Sequence, residues 1–199
     1  LPGDREDARL QDFSLRCMRG HASTRERLPI LFSFFETILR PLAPIQSLLD
    51  LACGLNPLAL PWMPIGSDCT YTACDIYRDM VDFINLYFAH IGQKGLAVQC
   101  NLVDLPPARP VQVALLLKAI PCLEQADKEV GARLLSTIQA EHLLVSFPAH
   151  SLGGRGKGMV RNYEARFLQL VEGMPVSVQR YEFPGELAFL LSRQGRNKN

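Results

Sequence analysis

Short apolar runs alternate along the chain with segments in which apolar residues recur at the helical period. The runs predict seven strands, the first beginning at Ser47 and the others spanning residues 71–76, 96–102, 111–117, 142–147, 176–183 and 187–192. The helical segments are residues 5–20, 23–41, 77–91, 124–139 and one around 163–170. Helices separate the early strands, whereas Pro184-Gly185 joins the last two. The pattern therefore predicts an α/β fold: a mostly parallel seven-stranded sheet with an antiparallel C-terminal hairpin, plus N-terminal helices.

The stretch from Ser47 to Leu60 predicts a buried strand, a tight turn and a helix. Its apolar run ends in small residues and Gly54, and apolar residues return at helical spacing after Asn56 and Pro57. Asparagine is a favoured N-cap and proline a favoured first helical residue, so we expect the helix to begin there. Ligands in open α/β sheets bind at the carboxyl ends of strands, where backbone N–H groups are available. This turn is the first candidate ligand site.

Asp75 ends the second apolar run, about 20 residues after the turn. A carboxylate at the tip of that strand is placed to accept hydrogen bonds from the two hydroxyls of a ribose. The turn lacks the Gly-x-Gly-x-x-Gly fingerprint of dinucleotide sites, which an adenosyl ligand without a pyrophosphate does not need. Spacing alone leaves two interpretations open: a nucleoside site, or an acid that only caps the following helix.

Composition limits the class of protein. Of the 199 residues, 48% are hydrophobic and 21% charged, which is typical of a globular domain. No apolar run reaches the ~18 residues of a membrane span, and the first residues lack a signal-peptide pattern. The six cysteines include no CxxC pair and no histidine at zinc spacing. We therefore expect buried, reduced thiols in a cytoplasmic protein, and no metal site.

Positive charge is unevenly distributed, although the formal net charge is only +1. The cations form an N-terminal group and a second group between residues 155 and 166: Arg16, Arg19, Arg25, Arg27, Arg155, Lys157, Arg161 and Arg166. Such clusters are more often solvated faces than RNA contacts, and residue type alone favours the solvated interpretation. Glycines within residues 151–159 predict a mobile, positively charged loop. It is not a Walker A loop, because no Ser or Thr follows Lys157.

Residues 21–27 predict the start of a helix with a ligand-binding arginine one turn inside it. Ser23 and Glu26 fit a capping box, which makes Ser23 the expected N-cap. Arg27 lies one turn further on, where its guanidinium is placed to contact a ligand carboxylate through two parallel hydrogen bonds.

Several motifs, in unbroken order from about residue 16 to the C-terminus, resemble one family. They are His21-Ala22-Ser23-Thr24-Arg25-Glu26-Arg27, the stretch from Leu49 to Leu60, Ser146-Phe147-Pro148, and Ser151 to Met159 with Asn162-Tyr163. Together they resemble the aminoglycoside-resistance 16S ribosomal RNA methyltransferases of the FmrO, Arm and Rmt type. The resemblance implies a class I, Rossmann-like fold that uses S-adenosylmethionine (SAM). It also implies methylation of N7 of a guanine in the decoding A site.

The same resemblance implies the cofactor, the partner and the setting. SAM would be the methyl donor and S-adenosylhomocysteine (SAH) the product. The partner would be 16S rRNA within the 30S subunit, and the consequence would be aminoglycoside resistance. The enzyme would be a cytoplasmic monomer that needs neither a membrane nor a metal.

Carried over by motif, the residues that bind the cofactor are His21, Ser23, Thr24, Arg27, Ala52, Gly54, Asp75, Asn101, Leu102 and Leu117. The resemblance places His21, Ser23 and Arg27 at the methionine end of SAM, with Arg27 on the carboxylate. It places Asp75 on the ribose hydroxyls and Asn101 at the adenine edge.

The remaining residues carried over by motif shape the site or contact RNA. Ala52 and Gly54 would let the backbone approach the cofactor, and Leu102 would face the adenine. Leu117 and Lys118 would close the site next to the target base. The RNA-binding residues would be Arg155, Lys157, Met159 and Arg161.

Guanine N7 carries an in-plane lone pair and no proton, so methyl transfer to it needs no general base. The enzyme must only align the donor methyl with N7, and we expect no catalytic Asp, Glu or His, with Lys118 as a positioning residue. Cys53 is expected to be a buried filler rather than a nucleophile. An aromatic or Arg plane would receive the unstacked guanine, with Tyr163, Phe147 and Arg155 as candidates. For Phe147 a core role is favoured.

Two departures from the family pattern affect these expectations. Asn101 stands where members usually carry Asp, although an Asn carbonyl can also pair with an exocyclic amine. Only about 20 residues precede His21, where members carry a helical lobe that docks the small subunit. We therefore expect residues 1–41 to be the remnant of that lobe and residues 42–199 to be the methyltransferase domain. Two alternatives stay open: a truncated SAM-binding core without turnover, and a small-molecule methyltransferase.

Overall fold

The computed structural model describes residues 2–104, 109–149 and 156–193, with only the backbone described at residues 156–157. Contacts between residues divide the chain into two compact units, one ending at Asn101 and the other beginning at Leu102. The first unit contains three N-terminal helices, three strands and a further helix. The second contains three helices and four strands among its described residues.

The first unit begins with helices α1, α2 and α3, which span Ala8–Arg19, Ala22–Arg27 and Leu31–Leu39. The sequence predicts one helix from Ser23 to Pro41, but a 3₁₀ turn at Leu28–Ile30 interrupts it, and a second at Arg40–Leu42 follows α3 close to the predicted end. Each turn contains a proline, whose ring removes a backbone donor and clashes with an α-helical interior.

The predicted capping box at Ser23 is wrong. Helix α2 begins at Ala22, and its N-cap is His21, which has the extended backbone that an N-cap requires (φ −112°, ψ 124°). Ser23 already lies inside the helix, so its hydroxyl does not hold the N-cap position; it contacts Nδ1 of His21 at 3.2 Å.

The strands of the first unit are parallel and bring two carboxyl ends side by side. They are β1, β2 and β3, spanning Ser47–Leu51, Thr70–Asp75 and Gly95–Gln99. Leu51 of β1 is opposite Cys74 of β2, so the turn after β1 lies next to Asp75. Helix α4, Arg78–His90, follows β2. The third strand was predicted to run to residue 102 but ends at Gln99, and Asn101 follows it.

The second unit begins with β4, Val111–Leu117, followed by α5, Ile120–Ala126, and α6, Val130–Thr137. The sequence predicts a single helix over 124–139, but Asp127 breaks it with an extended backbone. Its carboxylate accepts a hydrogen bond from the N–H of Glu129 at 2.9 Å, which holds the chain in a turn between the two helices.

The chain then forms β5, α7, β6 and β7, which span Ala140–Pro148, Gly156–Val171, Val176–Phe183 and Glu186–Arg193. Strands β4 and β5 are parallel, whereas β7 runs antiparallel to both β5 and β6. The strand order is β3-β2-β1 in the first unit and β4-β5-β7-β6 in the second. This confirms the predicted mostly parallel sheet with its antiparallel hairpin.

The loop predicted over residues 151–159 is partly wrong, because α7 already begins at Gly156. The segment 150–155 lies outside the described residues. Among the described residues, no helix is long and apolar enough to cross a membrane, and no group of His, Cys, Asp or Glu side chains is arranged to hold a metal ion. All six cysteines, each of them described, are free thiols.

Candidate functional site

The turn after β1 has an unusual backbone. Ala52 and Gly54 both adopt the left-handed conformation, with φ 49° and φ 50°. An alanine in this region is strained, and such strain persists only where the surrounding structure holds it. Here the N–H of Cys53, between them, donates to the carbonyl of Cys74 in β2 at 2.9 Å. The turn is thereby fixed against the neighbouring strand.

Asp75 connects this turn to the end of β2. The N–H of Gly54 donates to Oδ2 of Asp75 at 2.8 Å, and the N–H of Tyr77 donates to Oδ1 at 3.1 Å. Asp75 therefore orders the start of α4, which was the alternative to a nucleoside site. It also anchors the turn at Gly54. A carboxylate has about four lone-pair sites, so these two bonds leave it able to accept others, for example from ribose hydroxyls.

His21 lies directly against Gly54. A Cβ atom at Gly54 would be 2.6 Å from Cε1 of the His21 ring, so only glycine allows this approach. Nδ1 of His21 lies 3.2 Å from Oγ of Ser23 and 3.5 Å from Oγ1 of Thr24. Together with Asp75, these predicted residues form one cluster in the first unit, built from the start of α2 and the ends of β1 and β2.

Arg27 is deeply buried, with 2% of its surface exposed. Its Nη1 donates to Oδ1 of Asn56 at 3.1 Å, and the centre of its guanidinium lies 5.0 Å from the centroid of the Phe34 ring. Asn56 was predicted to be an N-cap, which is wrong: it is the first residue of the 3₁₀ helix Asn56–Trp62, whose N-cap is Leu55. The Asn56 amide instead links Arg27 to Asp50.

Asp50 is a buried carboxyl group that the sequence pattern did not indicate as a site residue. Its Oδ2 accepts hydrogen bonds from Nδ2 of Asn56 at 2.8 Å and from the hydroxyl of Tyr71 at 2.7 Å. Burial raises the pKa of Asp50 to about 7, against the opposing effects of these two hydrogen bonds and of Arg27. One feature of the sequence could have indicated Asp50: it is an acid inside an otherwise apolar strand.

Replacing Asp50 with asparagine should flatten the pH dependence of stability. The carboxyl has a pKa of about 7 when folded and a usual value of 3.8, so the folded state binds its proton more tightly than the unfolded state. Its contribution is fully present below about pH 4 and is lost, by about 4 kcal/mol, as the pH rises through 7. Asparagine is neutral throughout and keeps an oxygen for both donors.

Urea unfolding at pH 5 and pH 8 measures this effect. The free energy of unfolding of the wild type should fall more between the two values than that of Asp50→Asn. Equal falls in the two proteins would contradict a proton held on Asp50.

Lys118, a predicted residue of the second unit, forms a buried ion pair with Glu186. Lys118, directly after β4, has a left-handed backbone (φ 56°), and its N–H donates to the carbonyl of Ser146 at 2.9 Å. Its ammonium lies 3.4 Å from Oε2 of Glu186 at the start of β7, and both side chains are almost fully buried. Leu117 beside it is also buried. The sequence did not indicate Glu186, because nothing in its local pattern relates it to Lys118.

Glu186→Gln is expected to destabilise the protein by about 3 kcal/mol or more. Glutamine keeps the size of the side chain but leaves the Lys118 ammonium buried without its carboxylate, which is more costly than losing both charges. Urea unfolding measures the loss. A double replacement, Glu186→Gln with Lys118→Met, should recover part of it; a double variant no more stable than the single one would refute the role of the ion pair.

The remaining predicted site residues differ in how far they are exposed to solvent. Asn101 is exposed and Leu102 buried. Met159 is half-buried and Arg161 exposed on α7. Arg155 and the Lys157 side chain, predicted to bind RNA, lie outside the described residues.

Phe147 and Cys53 are buried, whereas Tyr163 is half-buried. Phe147 is buried and stacks on Tyr163 with 5.2 Å between ring centroids, while Phe167 and Phe189 meet it edge-on. These contacts favour the core role for Phe147 and occupy one face of Tyr163. Burial raises the pKa of the Cys53 thiol well above its usual value, which keeps the thiol protonated. This agrees with a packing role for Cys53 rather than a nucleophilic one.

The chain is similar to known ribosomal RNA methyltransferases over nearly its whole length. The sequence model of a family described as ribosomal RNA methyltransferase (FmrO) matches residues 2–190. A relative from Micromonospora rosea is 37% identical over 191 residues, covering 94% of this chain and 69% of its own. One from Micromonospora echinospora is 38% identical over 181 residues, covering 89% and 65%. Both are named 16S rRNA (guanine(1405)-N(7))-methyltransferase.

A solved structure supports the same relationship. The crystal structure of the 16S rRNA methyltransferase RmtF in complex with SAH superposes with a TM-score of 0.81 at 34% identity, covering 94% of this chain and 72% of that one. The chain spans about two thirds of the length of the curated relatives it matches. Because the family model and these relatives cover most of the chain, the protein belongs to the FmrO family of ribosomal RNA methyltransferases.

Proposed function

We propose that this chain binds SAM at the turn after β1 and transfers its methyl group to N7 of a guanine in 16S rRNA. The observation that carries the proposal is the cluster of His21, Gly54 and Asp75 at the ends of β1 and β2, in a chain of this family. The relatives from both Micromonospora species are named for this reaction, and RmtF was solved with the reaction product SAH.

The residues of the cluster fit the chemistry of SAM. Asp75 offers carboxylate oxygens to a ribose diol, and the hydroxyls of Ser23 and Thr24 with the His21 ring offer polar groups for an amino group. Arg27 supplies the positive charge that a carboxylate requires. The absence of a side chain at Gly54 lets His21 approach the turn, so the amino-acid end and the ribose end are held by one connected structure.

The chemical step requires alignment rather than proton transfer. When bound, SAM supplies a methyl group on a positively charged sulfur. The residues around the turn hold the nucleoside and amino-acid ends, so the direction of the methyl group is fixed before the base arrives. N7 of guanine has a lone pair and no proton, so we assign no Asp, Glu or His as an acid or base. We assign Lys118, held by Glu186, to positioning at the end of β4.

The partner that we propose is 16S rRNA within the 30S subunit, with aminoglycoside resistance as the consequence. The proposed RNA contacts are Arg155, Lys157, Met159 and Arg161, of which Arg161 is exposed on α7. Asn101, Leu102 and Leu117 are further proposed cofactor-binding residues. Residues 1–41 are proposed to serve as a helical segment beside a methyltransferase domain at 42–199.

Calorimetric titration with SAH, together with radiolabelled methyl transfer to isolated 30S subunits, tests the proposal. Binding with transfer to guanine N7 is the expected result. Binding without transfer would indicate a SAM-binding core without turnover, and transfer to free small acceptors instead would indicate a small-molecule methyltransferase. Failure to bind SAH would overturn the assignment of the cofactor site.

Arg161→Ala should weaken binding to 30S subunits without changing the affinity for SAH. Loss of one phosphate contact reduces the slope of log affinity against log salt by about one. Arg166→Ala, on the same helix, is the matched control, because its guanidinium is already paired with Glu124 at 3.2 Å. Equal salt slopes for the wild type and Arg161→Ala would remove Arg161 from the proposed RNA surface.

A further inference from the structure

Four buried polar side chains form a continuous hydrogen-bonded row behind the turn after β1. The Tyr71 hydroxyl donates to Asp50 at 2.7 Å, Asn56 donates to the same oxygen at 2.8 Å, and Arg27 donates to Asn56 at 3.1 Å. Their exposed fractions are 0% for Tyr71, 1% for Asp50, 4% for Asn56 and 2% for Arg27. We call these residues the Tyr71–Arg27 row. Only its last member, Arg27, belongs to the proposed cofactor contacts.

The row has one consistent direction. Arg27 has only donors, so the group that faces it must be the Asn56 carbonyl oxygen, and the Asn56 NH₂ group must then face Asp50. A flipped amide would place two donors against each other at Arg27, and Oδ2 of Asp50 would lose the N–H that Asn56 donates to it. The acceptor oxygen of Asp50 thus fixes the orientation of the Asn56 amide, and Tyr71 fixes that oxygen from the side of β2.

Arg27 is also limited on a second side. The Phe34 ring of α3 lies beneath its guanidinium at 5.0 Å, which restricts the plane of the group, while Asn56 fixes the direction of Nη1. A planar guanidinium binds a carboxylate through two parallel bonds only when that plane is correctly set. The orientation of Arg27 therefore depends on Asn56 and Phe34, neither of which is among the proposed cofactor contacts.

Simple packing does not require such a row. Its strand neighbours Leu49 and Leu51 are apolar and buried, and a leucine at position 50 would avoid the cost of desolvating a carboxyl group. A buried polar row is costly unless every member is paired, and here each step ends on the next donor or acceptor. The chain keeps four polar groups where apolar ones would pack, and the row ends at the cation of the site.

We propose that Tyr71 and Asp50 are positioning residues, which orient the Asn56 amide and through it hold Arg27 ready for the carboxylate at the amino-acid end of SAM. This inference rests on the proposed function, because it takes Arg27 as the group that binds that carboxylate. Its specific consequence is that the row affects the amino-acid end of the ligand and leaves the nucleoside end unchanged.

Two ligands separate the two ends. SAH carries the amino-acid group, whereas 5′-methylthioadenosine keeps the nucleoside and the sulfur but lacks the carboxylate. Tyr71→Phe removes only the hydroxyl and keeps the ring that packs on Phe88 at 5.3 Å. Calorimetry should show an affinity for SAH lower by about tenfold and an affinity for methylthioadenosine within about twofold of the wild type.

A control and a conservative variant isolate the effect. Tyr87→Phe removes another buried hydroxyl, one that pairs with Ser14 at 3.2 Å, and should leave the ratio of the two affinities unchanged. Asp50→Leu should lower the affinity for SAH relative to that for methylthioadenosine. Asp50→Asn keeps an oxygen for the donors of Tyr71 and Asn56 and should restore the wild-type ratio. Thermal unfolding of each variant identifies any that fail to fold, and the Tyr71 and Asp50 variants provide independent tests of the ratio.

The outcomes are distinguishable. Equal weakening of both ligands by Tyr71→Phe would make the row a general support of the turn and overturn the proposal, as would an unchanged affinity for SAH. A wild type that binds SAH and methylthioadenosine equally well would refute the carboxylate role of Arg27 and this inference, while leaving the SAM site in place. A wild type that binds neither ligand would instead refute the proposed function itself.

Discussion

Asp75→Ala should abolish measurable binding of SAH, with an affinity at least about 100-fold lower than that of the wild type. Two losses combine in this variant. The proposed hydrogen bonds from the ribose hydroxyls disappear, and so do the acceptors for the N–H groups of Gly54 and Tyr77, at 2.8 and 3.1 Å. The variant therefore removes a ligand contact and loosens the turn that surrounds the ligand. Calorimetric titration with SAH measures the change.

Two further variants distinguish these losses from a general effect of charge. Asp79→Ala removes an exposed acid from the first turn of α4 and should leave the affinity for SAH unchanged. Asp75→Asn keeps one oxygen but lacks the negative charge and should give an intermediate affinity. If Asp75→Ala bound SAH as the wild type does, the carboxylate would be only a cap of α4, and the nucleoside interpretation would fail.

Gly54→Ala should reduce the affinity for SAH by about tenfold or more. Two costs add: the left-handed backbone at φ 50° disfavours any side chain by about 1 to 2 kcal/mol, and the new Cβ would lie 2.6 Å from Cε1 of His21. The imidazole must therefore move away from the turn, and its contacts with Ser23 and Thr24 move with it. The affinity for SAH is measured by calorimetry, and stability by urea unfolding.

The chain supplies a matched control for the backbone cost alone. Gly92, after α4, also has a positive φ of 63°, but a Cβ there would meet nothing within 4 Å. Gly92→Ala should lower stability by about 1 kcal/mol and leave the affinity for SAH unchanged. In a His21→Ala background, Gly54→Ala should cost less affinity than in the wild type, because the clash is gone. Equal costs in both backgrounds would show that the contact with His21 plays no part.

The backbones of β1 and β2 connect the candidate site to the sheet. Parallel pairing of β1 and β2 sets Leu51 opposite Cys74, so the turn after β1 lies next to the end of β2. Apart from Asn101, the proposed cofactor contacts of the first unit lie at these strand ends, in α2 or at its N-cap. The residues that orient them, Asp50 and Tyr71, lie within the strands, where packing fixes them. The proposed positioning residues thus belong to buried strands of the first unit rather than to its loops.

The order of elements and much of the site follow from the sequence by itself. Apolar runs and turn residues are local signals, and they predicted the strands, the hairpin at Pro184-Gly185 and the turn around Gly54. Asp75 could also be predicted as a site residue, because its position at the end of an apolar run is visible in the sequence. Element boundaries within the helical segments were less accurate, since Pro29 and Asp127 interrupt patterns that look continuous.

Only the tertiary structure decided how side chains far apart in the chain combine. Asn56 looked like a helix cap because capping is a local property, yet its amide pairs with Asp50 and Arg27. Tyr71 and Glu186 carried no motif, since each obtains its role from a partner on another element. Pattern and spacing report the period of one segment and the residues near a turn, whereas a buried hydrogen bond depends on which strands pair and in what register. The sequence determined the strand ends that meet; packing determined which polar groups there became partners.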